Sequence, residues 1–298
     1  MDIWSLRCLE ALAREGNVSN AAKSLHITQP TLSRQLASLE EELGGGLFTR
    51  TYKGIGLDER GTLLLNYADA IFDLVEKATS ELSLKDDSIS GTVYIGAGET
   101  TNMTYIAQAM KSVRANHPGI DFQLRSGDSL DLMSNFARGA YDFLVECEVK
   151  AHVDCNVMEL PIKDRWGAFV LRESALAEAG RVRPEDLVGV PLIMPHQATE
   201  HGILEQWAWG HMEDYDVVME FNLPLNASLL CREGIGVQLG YEGVFVSAHD
   251  DALTFVPLEP ELVSTQGILW RKDRLSKQAA VFLGSLRDAI DRASKDGS

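Results

Sequence analysis

The sequence of 298 residues lacks the features that mark several classes of protein. It contains no apolar run near the roughly 18 residues that a membrane span requires, and no secretory signal at its start. Its four cysteines form no CxxC pair, so neither a zinc site nor a disulfide framework is indicated. We therefore expect a cytoplasmic protein with no membrane partner and with reduced thiols. A redox role stays open for Cys147 and Cys155, which are close in sequence.

Motifs of catalysis are also missing. There is no GxSxG nucleophile elbow, no glycine-rich phosphate loop and no paired-histidine metal motif. His196, His201 and His211 are separated by five and ten residues, so they do not share one face of a helix. We therefore expect neither an enzyme nor a bound metal or cofactor. An enzyme that acts on a small molecule in an α/β cleft remains the alternative.

Charge is distributed unevenly along the chain. The net charge is −17, from 27 Lys or Arg against 44 Asp or Glu. Residues 1–60 hold seven basic and eight acidic side chains, so nearly all of the excess lies in residues 61–298. An acidic body repels nucleic acid everywhere except at a neutral or basic segment, and such binding depends strongly on salt. The length and the hydrophobic content of 45% predict two or three folding units.

Residues 19–50 have the pattern of two short helices followed by a hairpin. Ser19 is a suitable N-cap for the first helix, and Thr28 for a second helix that begins at Gln29. Pro30 falls in the first turn of that helix, where a backbone N–H would have no intrahelical acceptor. An apolar stripe with spacings of four, three and four follows at Leu32, Leu36, Leu39 and Leu43.

The outward face of the second helix is polar and neutral to basic. Glutamine pairs with adenine, arginine with guanine, and hydroxyls with base edges or phosphate, so this face suits a major groove. Gly44–Gly46 ends the helix, and a basic wing follows. The predicted DNA contacts are Gln29, Pro30, Thr31, Ser33, Arg34, Gln35, Ser38, Arg50, Thr51 and Lys53. A polar face that is merely solvated is the alternative for the helix taken alone.

Residues 1–60 resemble the winged helix-turn-helix domain of LysR-type transcriptional regulators. The positions that carry the resemblance are Ala21, Ala22, Leu25, Gln29, Pro30, Leu32, Ser33, Leu36, Leu39, Glu40, Leu43, Gly44, Leu47, Phe48, Arg50 and Gly61. Asp58 departs from the family, which usually has threonine there, but aspartate caps a helix equally well. The resemblance implies a regulator at the nucleoid whose partners are double-stranded promoter DNA, a small-molecule effector and RNA polymerase.

Residues 61–87 are expected to form a linker helix and a polar hinge. No proline interrupts this stretch, and apolar residues recur at the four and three spacing of a coiled-coil seam. The seam consists of Leu64, Ala68, Ile71, Val75, Ala78 and Leu82. Such a seam needs a second helix, and in the resembled family linker helices pair antiparallel in a homodimer that can assemble into a homotetramer. Packing of the helix against its own domain is the alternative.

Residues 88–298 alternate short strands with helices, which predicts parallel α/β sheets. By resemblance this part is an effector-binding domain with two lobes, akin to periplasmic binding proteins. Lobe I covers about 88–162 and 267–298, and lobe II about 163–266. The whole chain is thus expected to be multi-domain, an α-helical winged helix-turn-helix with a long linker helix followed by a two-lobed α/β domain. A solute-binding protein is the alternative, which the DNA-reading segment and the missing export signal oppose.

Ligands of α/β sheets gather at the carboxyl ends of strands and at helix N-termini. Gly98–Asn102 and Pro195–Thr199 follow strands and precede helices, and the resemblance makes them facing walls of an effector cleft. The predicted effector contacts are Thr100, Thr101, Asn102, Ser126, Gly127, His196, Gln197 and Tyr241. Many effectors of the family are carboxylates, but Glu99 and Glu146 near the mouth leave a neutral or amine-bearing ligand open.

Overall fold

The structure is a computed structural model that describes residues 1–51, 54–82, 89–150, 152–196, 202–244, 252–272 and 275–296. The chain divides into two compact units, Met1–Ser83 and Leu84–Ser298. No helix within the described ranges is both long enough and apolar enough to cross a membrane.

The first unit contains four helices and a hairpin in its described part. In chain order these are α1 (Ile3–Glu15), α2 (Val18–Ser24), α3 (Gln29–Glu42), β1 (Phe48–Thr51), β2 (Gly54–Leu57) and α4 (Glu59–Leu82). Thr28 caps α3 and Pro30 lies in its first turn, which confirms the predicted start. The predicted cap of α2 is wrong. Asn17 caps this helix, because its Oδ1 accepts hydrogen bonds from the backbone N–H groups of Ser19 and Asn20 at 2.8 and 3.3 Å.

The predicted leucine stripe of α3 forms the core of the first unit. Leu32, Leu36 and Leu39 are buried, and Leu32 and Leu36 pack against α1 and against Ala21 and Ala22 of α2. Both alanines are almost fully buried, since small side chains allow α2 and α3 to cross closely. This core fixes the orientation of α3 and therefore decides which of its side chains face outward.

Three glycines and one arginine end α3. Gly44, Gly45 and Gly46 have φ values of 81°, 84° and 72°, a left-handed conformation that other residues adopt at a cost. Arg60 of α4 donates to the backbone oxygen of Leu43 at 2.7 Å and to that of Gly45. The arginine thereby satisfies carbonyl groups at the end of α3, which have no intrahelical partner.

The start of α4 is held by Asp58 and by a close approach at Gly61. The Oδ1 atom of Asp58 accepts a hydrogen bond from the Gly61 N–H at 2.8 Å, so this aspartate caps the helix as predicted. Gly61 is buried, and a Cβ atom added to it would lie 2.1 Å from the backbone oxygen of Leu47. Only glycine fits at this contact between α4 and the residue that precedes β1.

The first half of α4 packs against α1 of the same chain. Ala68 is fully buried, and it forms a cluster with Phe72 and with Leu6 of α1, against which Leu64 and Ile71 also pack. The prediction that Ala68 belongs to a seam between two chains is therefore wrong, because its own chain encloses it.

The second half of the predicted seam extends beyond this cluster. Val75 and Ala78 are exposed, and the side chain of Leu82 lies outside the described residues. The first half of the predicted seam therefore packs within the chain, while Val75 and Ala78 of its second half are in contact with solvent.

The second unit is an α/β structure. Its elements are β3 (Gly91–Ala97), α5 (Met103–Asn116), β4 (Ile120–Ser126), α6 (Ser129–Ala137), β5 (Phe143–Glu146), β6 (Cys155–Leu171), α7 (Ala175–Ala179), β7 (Pro191–Pro195), α8 (Ile203–Trp207), β8 (Asp216–Phe221), α9 (Pro224–Arg232), β9 (Val237–Tyr241), β10 (Leu253–Pro257), β11 (Val263–Arg271) and α10 (Lys277–Asp296), with 3₁₀ turns at Pro184–Leu187 and Met212–Asp214. The strand order is β4-β3-β5-β11-β6-β9-β7-β8, and β10 pairs with β6.

Two parallel three-stranded groups lie at the ends of this sheet. Strand β3 pairs in parallel with β4 and β5, and β7 pairs in parallel with β8 and β9. The antiparallel strands β6 and β11 join the two groups, since β11 also pairs with β5 while β6 also pairs with β9. The predicted two-lobed α/β fold is confirmed.

Strand β6 is longer than the predicted strand Trp166–Leu171, because Cys155–Arg165 continues it toward the N-terminus. This extension includes Pro161, which has no N–H to donate to a neighbouring strand. It is tolerated because β6 pairs with β11 on either side of it, through residues 155–159 and 163–165, while the register shifts between Thr265 and Gly267.

Candidate functional sites

The predicted reading face of α3 lies on the surface of the first unit. Gln29, Pro30, Ser33, Arg34 and Ser38 are exposed. Thr31 and Gln35 are partly exposed at the margins of the same face. All seven side chains that the sequence assigned to this helix are therefore within reach of a partner.

Local hydrogen bonds orient two of these side chains. The hydroxyl of Ser19 in α2 donates to Oε1 of Gln29 at 2.9 Å, so the amide NH₂ of Gln29 remains to donate outward. The Nε atom of Arg34 donates to the Pro30 backbone oxygen at 3.3 Å. No carboxylate within the described ranges pairs with Arg34. Gln29 and Arg34 therefore offer hydrogen-bond donors to the acceptor atoms that adenine and guanine present in the major groove.

The hairpin beside α3 has the geometry of a wing. Strands β1 and β2 pair antiparallel, with Phe48 opposite Leu57 and Thr51 opposite Gly54. Glu40 of α3 accepts hydrogen bonds from the N–H groups of Leu47 and Phe48 at 3.0 and 3.4 Å, which fixes the hairpin to the helix. Among the predicted DNA contacts of the wing, Arg50 and Thr51 belong to β1, but their side chains and all of Lys53 lie outside the described residues.

Helix α4 exposes a second apolar stripe, one position before the predicted seam. Leu63, Tyr67 and Leu74 are 55%, 47% and 46% exposed, and Ala70 lies between the last two. We call these four residues the exposed stripe of α4. An apolar helix face of this length in contact with water is typical of an interaction surface.

The second unit contains a cleft at the carboxyl end of β3. Its larger space has a volume of about 540 Å³, which suits a small molecule. The residues that line it are Ala97, Gly98, Glu99, Thr100, Thr101, Met103, Thr104, Leu124, Ser126, Pro224, Leu225, Gly243 and Val244. An adjoining space of about 40 Å³ shares three of these residues and is also lined by Gly127, Phe169, Phe221, Asn222, Gly240 and Tyr241.

Five of the predicted effector contacts line these two spaces, namely Thr100, Thr101, Ser126, Gly127 and Tyr241. The opposite side of the cleft, formed by the start of α9 at Pro224 and Leu225, was not predicted. Proline in the first turn of a helix was the only local signal there.

Asn102 does not face the cleft. The prediction that it contacts an effector is wrong because the residue is fully buried, and its carboxamide bonds the backbone oxygen of Ile162 at 2.7 Å and the backbone N–H of Ile162 at 3.0 Å. Its own N–H bonds the hydroxyl of Thr100 at 3.1 Å. Asn102 therefore holds the start of α5 against β6.

Replacing Asn102 with alanine is expected to lower the free energy of unfolding by about 2–4 kcal/mol, because both backbone groups of Ile162 lose a buried partner. Urea unfolding of the full chain measures the change. Thr104→Ala, on the cleft side of the same helix start, is the control and should change stability little. Equal stability of Asn102→Ala and the wild type would contradict this role.

His196 also lies apart from the cleft. Its Nδ1 atom is 3.1 Å from Oε2 of Glu220, both side chains are nearly half exposed, and neither lines the two spaces. The end of β7 directs His196 to the neighbouring strand β8, and its contact with an effector stays a prediction. Gln197 lies outside the described residues.

Two carboxylates, Glu99 and Asp164, lie at or behind the wall of the cleft. Burial raises the pKa of Glu99, and burial likewise raises the pKa of Asp164 against the lowering effect of hydrogen bonds from Thr100 and Thr101. The hydroxyl of Thr101 donates to Oδ1 of Asp164. Glu99 thus places one carboxylate in the wall of the cleft, and Asp164 places a second one behind Thr101.

Cys147 and Cys155 are free thiols. Burial raises the pKa of Cys147, and the carboxylates of Asp164 and Glu148 raise it further. Burial also raises the pKa of Cys155. Thiol chemistry requires the thiolate, so both environments oppose the redox role that the sequence left open.

Comparison with known proteins assigns both units. The family model described as "Bacterial regulatory helix-turn-helix protein, lysR family" matches residues 3–62, and the one described as "LysR substrate binding domain" matches residues 86–291. A "Probable RuBisCO transcriptional regulator" of Emiliania huxleyi is 31% identical over 246 residues, which cover 82% of this chain and 78% of that protein. The "Uncharacterized HTH-type transcriptional regulator YusT" of Bacillus subtilis (strain 168) is 28% identical over 305 residues, covering 100% and 99%.

Solved structures share the fold. The crystal structure of CbnR, a LysR family transcriptional regulator, has a TM-score of 0.72 and 16% identity, and covers 97% of this chain and 99% of its own. Full-length CbnR complexed with its target DNA has a TM-score of 0.69 and 18% identity, with coverage of 97% and 100%. The chain therefore belongs to the LysR family: it is a DNA-binding transcriptional regulator and not an enzyme, with a C-terminal effector-binding domain.

Proposed function

We propose that α3 enters the major groove of promoter DNA with Gln29 and Arg34 at its centre. The observation that carries this proposal is the hydrogen bond from Ser19 to Gln29, which leaves the amide NH₂ of Gln29 as a donor. Arg34 beside it has no carboxylate partner among the described residues. Thr31, Ser33, Gln35 and Ser38 flank these two and supply hydroxyl and amide groups for base edges or phosphate. The wing, with Arg50, Thr51 and Lys53, contacts the neighbouring backbone.

The DNA-bound form is a homodimer, formed through the exposed stripe of α4. Two copies present two reading helices, so the operator has dyad symmetry with half-sites one or more helical turns apart. A homotetramer, formed by further pairing of the C-terminal units, extends the contact along the promoter. RNA polymerase is the protein partner at that promoter.

The effector binds in the cleft, in contact with Thr100, Thr101, Ser126, Gly127 and Tyr241. The two sheet groups that border the cleft are joined only by β6 and β11 among the described strands, so a ligand that contacts both groups favours one of their arrangements. A regulator responds to its effector when the two arrangements differ in operator affinity.

A gel shift with the DNA beside the gene of this protein tests the proposal. Binding is expected at low salt and should weaken steeply as salt rises, because the acidic body contributes repulsion outside the reading face. Failure of dimeric protein to shift this DNA at low salt would contradict the proposed function.

Arg34→Ala is expected to weaken binding to the operator by about 10-fold to 100-fold and to relax base preference at one position of each half-site. The fold should be unaffected because the side chain is exposed. Arg14→Ala removes the same charge from an exposed position of α1 and serves as the control. Equal operator affinity of Arg34→Ala and wild type in fluorescence anisotropy would remove Arg34 from the reading face.

A further inference from the structure

The proposed effector cleft carries a negative charge in its wall. Glu99 is the one charged residue among the described lining residues of the two spaces, which include no Lys, Arg or His. Its carboxylate has no hydrogen bond or ion pair within the described part of the chain. A carboxylate held in a partly buried wall attracts a positively charged group and repels an anion.

A second acceptor lies behind the smaller space. Gln238 of β9 is fully buried, and its Nε2 donates to the backbone oxygen of Pro224 at 3.4 Å. This contact fixes the orientation of the amide, because a carbonyl oxygen can only accept. The Oε1 atom then has no partner among the described residues.

The neighbours of this amide line the smaller space, and the amide itself lies directly behind them. Pro224 and Phe169, the cross-strand partner of Gln238, both line the smaller space, as does Gly240, which shares its face of β9. A buried acceptor without a partner is unfavourable by about 1–3 kcal/mol, so this position favours a ligand that donates a hydrogen bond.

The anion-attracting end of α5 is already occupied by the protein itself. The first N–H groups of a helix attract carboxylates, which is the usual reason to expect an anionic ligand at such a place. Here the N–H groups of Met103, Thr104 and Tyr105 already donate to backbone oxygens of residues 100–102. Asp164 adds a carboxylate just before the helix, where it accepts a hydrogen bond from the Thr101 hydroxyl. A ligand carboxylate at α5 would lie against Asp164 and Glu99 and would be repelled.

The surrounding chain strengthens this preference. Residues 184–270 contain fourteen Asp or Glu, and Arg232 is the only Lys or Arg among them. An excess of one sign of charge along this part of the chain favours ligands of the opposite sign. The remaining walls are apolar, with Met103, Leu124, Leu225, Phe169 and Phe221.

We propose that the effector is a protonated organic amine with an apolar body. Its ammonium group bonds the Glu99 carboxylate and the Oε1 atom of Gln238, and its body packs against the apolar walls. This inference rests on the proposed role of the cleft as the effector site, and it names the chemical class that the site accepts.

Matched probe ligands test the charge preference on the full chain. Benzylamine, benzyl alcohol and benzoate share one body, as do hexylamine, hexanol and hexanoate. Isothermal titration and thermal unfolding are measured for each. The amine of at least one series is expected to bind about 10-fold more tightly than its alcohol and its carboxylate. Tighter binding of the carboxylate, or no binding by either amine, would overturn the proposal.

Two variants test the residues. Glu99→Gln should weaken amine binding by about 10-fold while the unfolding temperature without ligand stays the same, and Glu205→Gln, at an exposed position of α8, should leave amine binding unchanged. Gln238→Leu should weaken amine binding and change the stability of the free protein little, since removal of the unpaired acceptor offsets the loss of the hydrogen bond from Nε2 to Pro224. Unchanged amine affinity in Glu99→Gln would overturn the proposal.

Operator binding is measured on the same preparations, so the two proposals fail separately. A protein that binds its operator and responds to carboxylates retains the proposed function and refutes the amine. A protein that binds amines but shifts no DNA supports the ligand class and contradicts the proposed reading face.

Discussion

Leu74→Glu is expected to convert the protein into a monomer and to weaken operator binding by about 100-fold or more. Leu74 lies in the exposed stripe of α4, where its side chain is 46% exposed. A glutamate there places a charge in the apolar contact that we propose between two chains. Loss of the dimer removes the second reading helix from the operator, and with it the gain from binding two half-sites together. Light scattering gives the mass, and fluorescence anisotropy gives the affinity.

Asn66→Glu is the matched control for this experiment. It adds the same charge to the same helix, at an exposed residue outside the exposed stripe of α4. This variant should keep the mass and the operator affinity of the wild type. A dimer that survives Leu74→Glu would show that the two chains meet through another surface, and equal loss in both variants would indicate a general effect of charge on α4.

Sequence periodicity alone does not predict which face of α4 is exposed. Two apolar stripes run along α4 at the same spacing, one position apart, and the sequence pattern favoured the longer stripe through Ala68 and Ile71. Which stripe stays exposed depends on α1, whose Leu6 covers Ala68. That contact joins residues far apart in sequence, so the heptad rule alone cannot supply it. A charge at Ile71 would also disturb this internal cluster.

Local chemistry made other features predictable. The start of α3 follows from Thr28 and Pro30, since capping and the missing N–H act within one helical turn. The buried face of α3 follows from the spacing of its leucines. The start of α2 was misplaced by two residues, because Ser19 and Asn17 are both good caps and only the three-dimensional structure shows that Ser19 bonds Gln29.

The cleft was predictable only in part. Thr100 and Thr101 follow the end of β3, and the rule for α/β sheets places such residues at a ligand site. The same rule could not show that Asn102 turns inward to Ile162, or that His196 pairs with Glu220. Both outcomes depend on a neighbouring strand, and polar residues beside a cleft have several such partners within reach.

Gly61→Ala is expected to lower the stability of the first unit by about 3 kcal/mol or more and to abolish operator binding at physiological temperature. The added Cβ would lie 2.1 Å from the backbone oxygen of Leu47 and 3.2 Å from the Cβ of Leu57. Neither is the end of a flexible side chain, so α4 must move away from the residues that position the wing. Hydrogen–deuterium exchange of the full chain should show faster exchange in residues 1–82 and unchanged exchange in the second unit.

Gly284→Ala is the control, because Gly284 lies in the middle of α10 with no atom near the added Cβ. Alanine is favoured over glycine inside a helix by about 1 kcal/mol, so this change should be neutral or stabilising. The two substitutions are chemically identical and differ only in what the new methyl group meets. If Gly61→Ala also proved neutral, α4 would have to tolerate a shift at its first turn, and the close approach to Leu47 would not be what holds the linker helix against the wing.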